Sequence, residues 1–387
     1  MSTRLAVVHG DDLGMDYDDH PADRRRHQLA VALAREAGVL AAPGVDVLRA
    51  PGPMADDHLA TMFAPAFIRA VKTFSATPIL AAAPEARHWG ITGDVHPYAR
   101  MHEDSARLAA AAWQAGSLVG TGQARRAIVP AGGAHHGLPH KANGFGIYND
   151  TAVAIHALRG AGVSRIAYVD LDVHHGDGTQ GFFWDDPDVL TVSVHESGRF
   201  LFPGSGFPDE TGGPGAHGSA VNVALPPDAG DDAYRLAMAQ VVEPAVRGFS
   251  PEVLVTQCGV DHHHADPLSH LLTTMPLYPE LWGSLSRLAD DCCDGRWVAL
   301  AGGGYDPCNA PPRAWAMLIA RMAGTTVPHG MPAAWGAIAE GAGCVAPATG
   351  WLAEPGAGDI VTRAEAAMPA AEAAVAATIA ASPHLGG

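Results

Sequence analysis

A chain of 387 residues, 48% hydrophobic and 17% charged, holds enough apolar material for a large buried core and has the composition of an ordinary globular protein. Its net charge of −17 repels polyanions, which argues against a general nucleic-acid or anionic-membrane partner and favours partners whose recognised segment is basic. No apolar run is long enough to cross a bilayer, and the opening MSTRLAVVHGDD lacks the signal-peptide pattern.

Short β-rich runs recur along the chain: RLAVVHG, RAIVPAGG, RIAYVDLD, VLTVSVHE, AVNVALP, EVLVTQCG and WVALAGGG. Helix-patterned stretches at 150–159, 233–246 and 279–290 lie between them. Apolar strands alternating with helices predict a parallel sheet covered on both faces. The Pro/Gly-rich segments 41–53, 203–218 and 347–358 read as long surface loops. The Ala-rich stretch 363–381 reads as a final helix, kinked or restarted at Pro369, which lacks an N–H. No linker separates the strands, so one domain is expected over 1–387, with the motif-bearing part at about 18–320 and a C-terminal helical extension at 325–387. The five cysteines lack disulfide-framework spacing, and Cys292 and Cys293 are neighbours; free thiols in a reducing cytoplasm are expected.

The β-rich runs ending at Pro130, Val169, Val194, Gln257 and Leu300 are each followed by Gly, His, Asp or Tyr. Open parallel sheets bind ligands beyond the carboxyl ends of their strands, so His135, His136, Asp172, His174, His195, Asp261 and Tyr305 can converge on one rim. Residues two apart share a face in an extended segment, which aligns Asp170, Asp172 and His174 within IAYVDLDVHHGDG. An Asp-x-His pair joined by Asp261 from another strand end makes a three-ligand metal site with a position left open, the pattern of catalytic sites. Zn²⁺ fits such a set, and so do Fe²⁺ and Mn²⁺. A lone Asp-x-His is more often a turn or cap; the paired histidines at other strand ends set this one apart.

His135 and His136, after the flexible PAGG, can reach one water and one leaving group, although bare tandem histidines are more often surface or core residues. Asp170 and Asp177 are spare carboxylates that would hold their tautomers. A buried tyrosine is usually packing, but Tyr305 on the glycine stalk AGGG is placed to donate its hydroxyl to an oxyanion. Cys258 reads as a small buried residue, and the histidines 262–264 as rim residues without metal.

PAGGAHHG, NGFGIYND, DLDVHHGDG, RFLFPGSG, QCGVDHHHADPL and AGGGYD follow one another in an order that resembles the metal-dependent histone deacetylase family. MHEDSA and HHHADPLSHL are similar to its bacterial acetoin-utilization branch, and the resemblance runs from about His20 to Trp315. It implies the arginase/deacetylase fold: an α/β, three-layer single domain with a mainly parallel sheet of about eight strands. It also implies Asp172, His174 and Asp261 as metal ligands, His135 and His136 as acid–base residues backed by Asp170 and Asp177, and Tyr305 as the carbonyl-polarising group. Phe145 and Phe202 match aromatics walling an acyl-lysine tunnel, with Gly144 and Leu268 beside them; Asp94 matches a rim aspartate gripping the substrate backbone, and Arg26 an arginine in the acetate-exit region. K⁺ is expected near Asp170, Asp172, His174 and Ser193. The chain departs from the pattern at Ala301, Gly146 and Gly137, where no chemical group is lost.

The implied activity is removal of acetyl, or another short acyl group, from lysine side chains of proteins, with Zn²⁺ or Fe²⁺ as cofactor. The metal and Tyr305 polarise the carbonyl, a histidine of the pair, His136 before His135, deprotonates the attacking water, and an imidazolium protonates the leaving amine. Acetylated proteins are the implied partners, acetyl-CoA synthetase among them, in the cytoplasm. The alternative is an acetylpolyamine amidohydrolase; GGAHH, without the proline usual there, favours lysine. An inactive acyl-lysine-binding protein would have lost a ligand or the tyrosine, and a ureohydrolase would need further carboxylates for a second metal.

Overall fold

The computed structural model describes residues 3–15, 20–79, 84–345, 347–354 and 359–385. The expected start of the motif-bearing part at Asp18 and the end of the expected loop 347–358 lie outside them. Eight strands form one sheet: β1 Thr3–His9, β2 Val45–Arg49, β3 Ala124–Val129, β4 Ile166–Asp170, β5 Val189–Glu196, β6 Ala220–Leu225, β7 Val253–Gln257 and β8 Trp297–Leu300. Their order is β2-β1-β3-β8-β7-β4-β5-β6, and every pairing is parallel. All carboxyl ends therefore open on one edge, with β3, β8, β7 and β4 adjacent at its centre.

Seven of the strands are the β-rich runs of the sequence; β2 is a correction. It lies inside the segment expected to be a loop, and its residues are only half-buried or exposed. As an edge strand carrying Asp46 and Arg49, it has the charges that blunt edges and hide the apolar signal of a strand.

Side chains alternate across the sheet and feed two cores. Leu5, Val7, Ile128, Val169 and Val192 pack on one face with Trp282 and Trp315. Ala6, Val8, Val129, Tyr168 and Val255 pack on the other with Phe67 and Ile155. Helices thus cover both faces in three layers, and each fully buried large apolar side chain contributes roughly 1.5–3 kcal/mol. That rigid slab holds the loops at the strand ends in place.

The C-terminal helix Ile360–Ala381 runs through Pro369, on its exposed side, without restarting. Ala371 and Val375 enter the same core as β5 and β6, and the Thr378 hydroxyl donates to the Asn222 carbonyl at 2.7 Å. The extension is part of the one domain. The expectation of five free thiols is overturned: Cys308 and Cys344 form a disulfide, Cα–Cα 5.4 Å, while Cys258, Cys292 and Cys293 are free. The paired cysteines lie 36 residues apart and meet because the segment after helix Trp335–Gly341 folds back against the loop that follows β8. Spacing alone does not reveal that contact.

Candidate active site

Register sets the site's geometry. Asp170, the last residue of β4, stands opposite Ser193 of β5 and Gln257 of β7. The chain then leaves the sheet in a bend: the Asp172 N–H donates to Asp170 Oδ1 at 3.2 Å, and the His174 N–H to Asp172 Oδ1 at 3.0 Å. This bend and the loop after β7 bring Asp172, His174 and Asp261 together, with ligand atoms within 4.8 Å of one another. His174 Nδ1 lies 3.1 Å from Asp172 Oδ1 and 3.1 Å from Asp261 Oδ2.

The other oxygen of each acid is held by the scaffold. Asp172 Oδ2 accepts from Gln257 Nε2 at 2.5 Å and from the Gly303 N–H at 2.8 Å; Asp261 Oδ1 accepts from the Val173 N–H at 2.8 Å. Residue 303 must be glycine, because a Cβ there would stand 2.1 Å from Asp261 Oδ2. Burial, then the Asp172 charge beside it, pushes Asp261 up to about 8. Burial lowers the pKa of His174, but its bonds to Asp172 and Asp261 outweigh that and raise it to about 10. Two buried acids sharing protons with one imidazole is the donor chemistry of a divalent-cation site, and these residues fit one.

His135 and His136 stand beside this cluster, ring centroids 4.0 Å apart. His135 Nδ1 bonds Asp170 Oδ2 at 2.7 Å, and His136 Nδ1 bonds Asp177 Oδ1 at 2.6 Å. Tyr168 donates its hydroxyl to Asp170 Oδ2 at 2.6 Å, and Asn143 its amide to Asp177 Oδ2 at 2.8 Å. The two imidazoles are unlike. For His135, burial works downward, but Asp170 and Asp172 outweigh it and raise the pKa to about 9. For His136, burial and then the field of His135 hold the pKa at about 4, against the pull of Asp177.

Tyr305, on the loop after β8, lines the same cavity as His135, His136, Asp172 and Arg26, and burial holds its phenol protonated. The Arg26 guanidinium donates to the Gly302 and Gly304 carbonyls at 2.9 and 3.1 Å and sits 5.2 Å from the Tyr305 ring. Phe145 packs on Tyr305 with centroids 5.6 Å apart, and Phe202 on His136 at 5.0 Å. Gly144 has φ +46°, and a Cβ there would meet the His136 ring at 2.4 Å and Phe202 at 2.7 Å; no larger residue fits between them. Leu268 is half-buried. Asp94 is exposed and outside the cavity; its carbonyl accepts from His20 Nε2 at 3.2 Å, and the His20 ring packs on Phe145 at 4.5 Å. His195 Nδ1 is taken by Ser193 Oγ at 2.8 Å and Nε2 by the Gly206 carbonyl at 2.9 Å, leaving it in the supporting structure.

The histidines 262–264 do not form an open rim. His262 and His263 are buried; His262 bonds Thr273 Oγ1 at 2.7 Å and stacks on Tyr234. His263 and His264 turn Nε2 onto Glu354 Oε2, at 3.3 and 2.8 Å. Three such side chains also suit a metal. However, His263 Nδ1 accepts from the Ala265 N–H at 3.2 Å, so Nε2 carries the proton, and a hydrogen-bonded clamp on the C-terminal segment accounts for the cluster.

Sequence reasoning missed several supports. Asp150 is buried and accepts from the Gly133 and Ala134 N–H groups at 3.0 and 2.8 Å, shaping the turn before the histidines. Asn149 caps the helix Asp150–Gly160 and donates to the His135 carbonyl at 2.9 Å. Asn-Asp before a helix reads as an ordinary cap, and nothing local shows the second task. Gln257 and Asp266 were missed likewise.

Residues 20–322 match the family model described as the histone deacetylase domain. The acetoin utilization protein AcuC of Bacillus subtilis (strain 168) is 36% identical over 322 residues, covering 83% of this chain and 82% of that protein. AcuC of Staphylococcus xylosus is 35% identical over 318 residues, 82% of this chain and 81% of that one. The crystal structure of the HDA15 HD domain shares the fold, with a TM-score of 0.72 over 98% of this chain and 100% of that chain at 24% identity. The chain belongs to the histone deacetylase family, a family of metal-dependent, hydrolytic deacetylases.

Proposed function

We propose that this protein hydrolyses the acetyl amide, or another short acyl amide, of lysine side chains in proteins, with Zn²⁺ (or Fe²⁺) held by Asp172, His174 and Asp261. Two unlike His–Asp dyads beside a three-ligand cluster, under an aromatic-walled opening, carry this reading. A cation in that cluster supplies Lewis acidity to the amide carbonyl and to water. His136 is neutral at pH 7, and its Nδ1–H donates to Asp177, so Nε2 keeps a lone pair for a proton from water. The same nitrogen then returns the proton to the leaving amine. His135, charged beside Asp170, offsets negative charge developing on the carbonyl oxygen. Tyr305 donates its hydroxyl to that oxygen.

Phe145, Phe202, Gly144 and Leu268 would enclose the lysine methylenes, and Asp94 would accept N–H bonds from a peptide backbone. Arg26, 5.2 Å from the Tyr305 ring, would meet a carboxylate product as it leaves. K⁺ near Asp170, Asp172, His174 and Ser193 belongs to the same reading. We infer acetylated enzymes as substrates, acetyl-CoA synthetase among them, and action in the cytoplasm. No helix among the described residues is long and apolar enough to cross a membrane.

The test is turnover on a panel of acyl-lysine peptides and acetylpolyamines, with Zn²⁺ and with Fe²⁺. Acetyl-lysine peptides are expected to be the faster substrates. Faster hydrolysis of acetylspermidine than of any peptide makes the protein a polyamine amidohydrolase, and no turnover by metal-loaded protein on either class ends the enzymatic reading.

A further inference from the structure

Asp266 is a buried acid that none of these steps uses. It is 9% exposed and does not line the cavity. Its Oδ1 accepts from the Leu268 N–H at 2.9 Å, a local turn, and its Oδ2 accepts from the Tyr305 N–H at 2.6 Å, across 39 residues. The loop bearing Tyr305 has no helix or strand between β8 and Asp306, and it leaves the sheet through Gly302 and Gly304, at φ +102° and +129°. Glycines in such conformations add little stiffness, so the place of the phenol is set by what binds the backbone. Gly302 donates to the Gly132 carbonyl at 2.8 Å and Gly303 to Asp172 Oδ2 at 2.8 Å, while Arg26 holds two carbonyls. The Asp266 bond falls on Tyr305's own peptide and, at 2.6 Å, is shorter than the 2.9 Å bond the same side chain accepts from Leu268.

We propose that Asp266 is a positioning residue for Tyr305: its carboxyl group fixes the tyrosine's backbone so that the hydroxyl meets the oxyanion, and ties that placement to the turn at Leu268. The inference rests on the role given to Tyr305 under the proposed function. Asp266 touches no reacting atom and acts only through the tyrosine.

The test places Asp266→Ala and Asp266→Asn in the metal-loaded full chain, alone and combined with Tyr305→Phe. A catalytic group displaced by about 1 Å costs up to ~10²-fold, so Asp266→Ala is expected to lower kcat on an acetyl-lysine peptide by roughly 10–100-fold, with KM and metal content little changed. Asp266→Asn keeps one acceptor oxygen without the charge and falls between. On the Tyr305→Phe background either substitution changes kcat by less than about 2-fold, because nothing remains to be positioned. Amide exchange across 301–309 quickens in Asp266→Ala while β4 and β7 stay protected. Wild-type kcat in Asp266→Ala, or the same fractional loss on both backgrounds, overturns the inference while leaving the role of Tyr305 intact. Wild-type turnover in Tyr305→Phe overturns both. If the alanine variant does not fold, the near-isosteric Asp266→Asn carries the same comparison.

Discussion

The two histidines offer the sharpest test of the mechanism, because the structure separates them. His136 is held at about 4 and His135 is raised to about 9. Against an ordinary histidine pKa of 6.5, the first shift corresponds to about 3 kcal/mol favouring the neutral ring. His136 must be neutral to accept a proton, so activity is lost as pH falls through its pKa. His135 must be charged to stabilise the oxyanion, so activity is lost as pH rises through its pKa. A bound cation cancels part of the Asp172 field that raises His135, which brings the alkaline limb below 9 in the loaded enzyme. The cation also adds positive charge near His136, so the acid limb does not move up. The assay is kcat/KM for an acetyl-lysine peptide from pH 4 to 10, with metal content checked at each point, for the wild type, His136→Ala and His135→Ala. Loss of a general base typically costs ~10²–10⁴-fold, so His136→Ala is expected to be the more damaged. Asp170 still receives the Tyr168 hydroxyl in His135→Ala, which keeps that buried acid partly satisfied. His135→Ala should retain more activity and lose the alkaline limb. The reverse ranking, or an alkaline limb that persists without His135, refutes the assignment.

Chelation should abolish activity, and Zn²⁺ or Fe²⁺ should restore it; the chelated protein should also melt at lower temperature, because the cation no longer neutralises Asp172 and Asp261, and a fully active metal-free preparation would sink the metal assignment. Tyr305→Phe should lose ~10²–10³-fold in kcat with metal content intact, as for removal of one oxyanion donor; unchanged turnover would leave the hydroxyl a packing group. Asp94→Ala should be much worse than Asp94→Asn on acetyl-lysine peptides and matter little for a one-residue acetyl-lysine mimic. Equal losses on both substrates would make Asp94 a cap of the turn in GDVHPY.

The parts of this molecule legible in its sequence are those whose signal is local. Apolar runs disclosed seven strands, and their carboxyl ends disclosed where Asp172, His174 and Asp261 would meet, because a parallel sheet converts strand ends into a common edge. The edge strand β2 stayed hidden, since its residues are half-buried or exposed and Asp46 and Arg49 interrupt its apolar pattern, so it reads as a loop. Supports that act on distant backbone were equally hidden. Gln257 holds Asp172 across 85 residues and Asp266 holds Tyr305 across 39. The disulfide and the Glu354 clamp depend on where the C-terminal segment docks. Polar residues in loops look alike until the fold gives them partners, and the burial of His262 and His263 is the same lesson in reverse.

The unlike histidines have similar first bonds: each donates Nδ1–H to one aspartate, at 2.7 and 2.6 Å, although Asp170 is fully buried and Asp177 is not. The next neighbours differ as well. His135 looks toward Asp172, with Nε2 to Oδ1 at 3.8 Å, so a second negative charge holds its proton on. His136 lies between His135 and His174, and both repel a proton from it. The segment 170–177 fixes all of these relations at once: Asp170 still in β4, Asp172 and His174 on the bend, and Asp177 opening the helix Asp177–Phe182. Gly176 lets that segment close, since a Cβ there would stand 2.2 Å from Asp170 Oδ2. Both dyad acids and two of the three ligands therefore share one short stretch of backbone. Asp261 and the Tyr305 loop come from elsewhere and are tied to it by N–H-to-carboxylate bonds, from Val173 to Asp261 and from Gly303 to Asp172, and by His174 Nδ1 against Asp261. A cation bound by Asp172, His174 and Asp261 would displace the proton shared at His174 Nδ1, and through Asp172 it would reset His135 as well. Metal binding and the acid–base state of the pair are thus one electrostatic system, set by the backbone of 170–177.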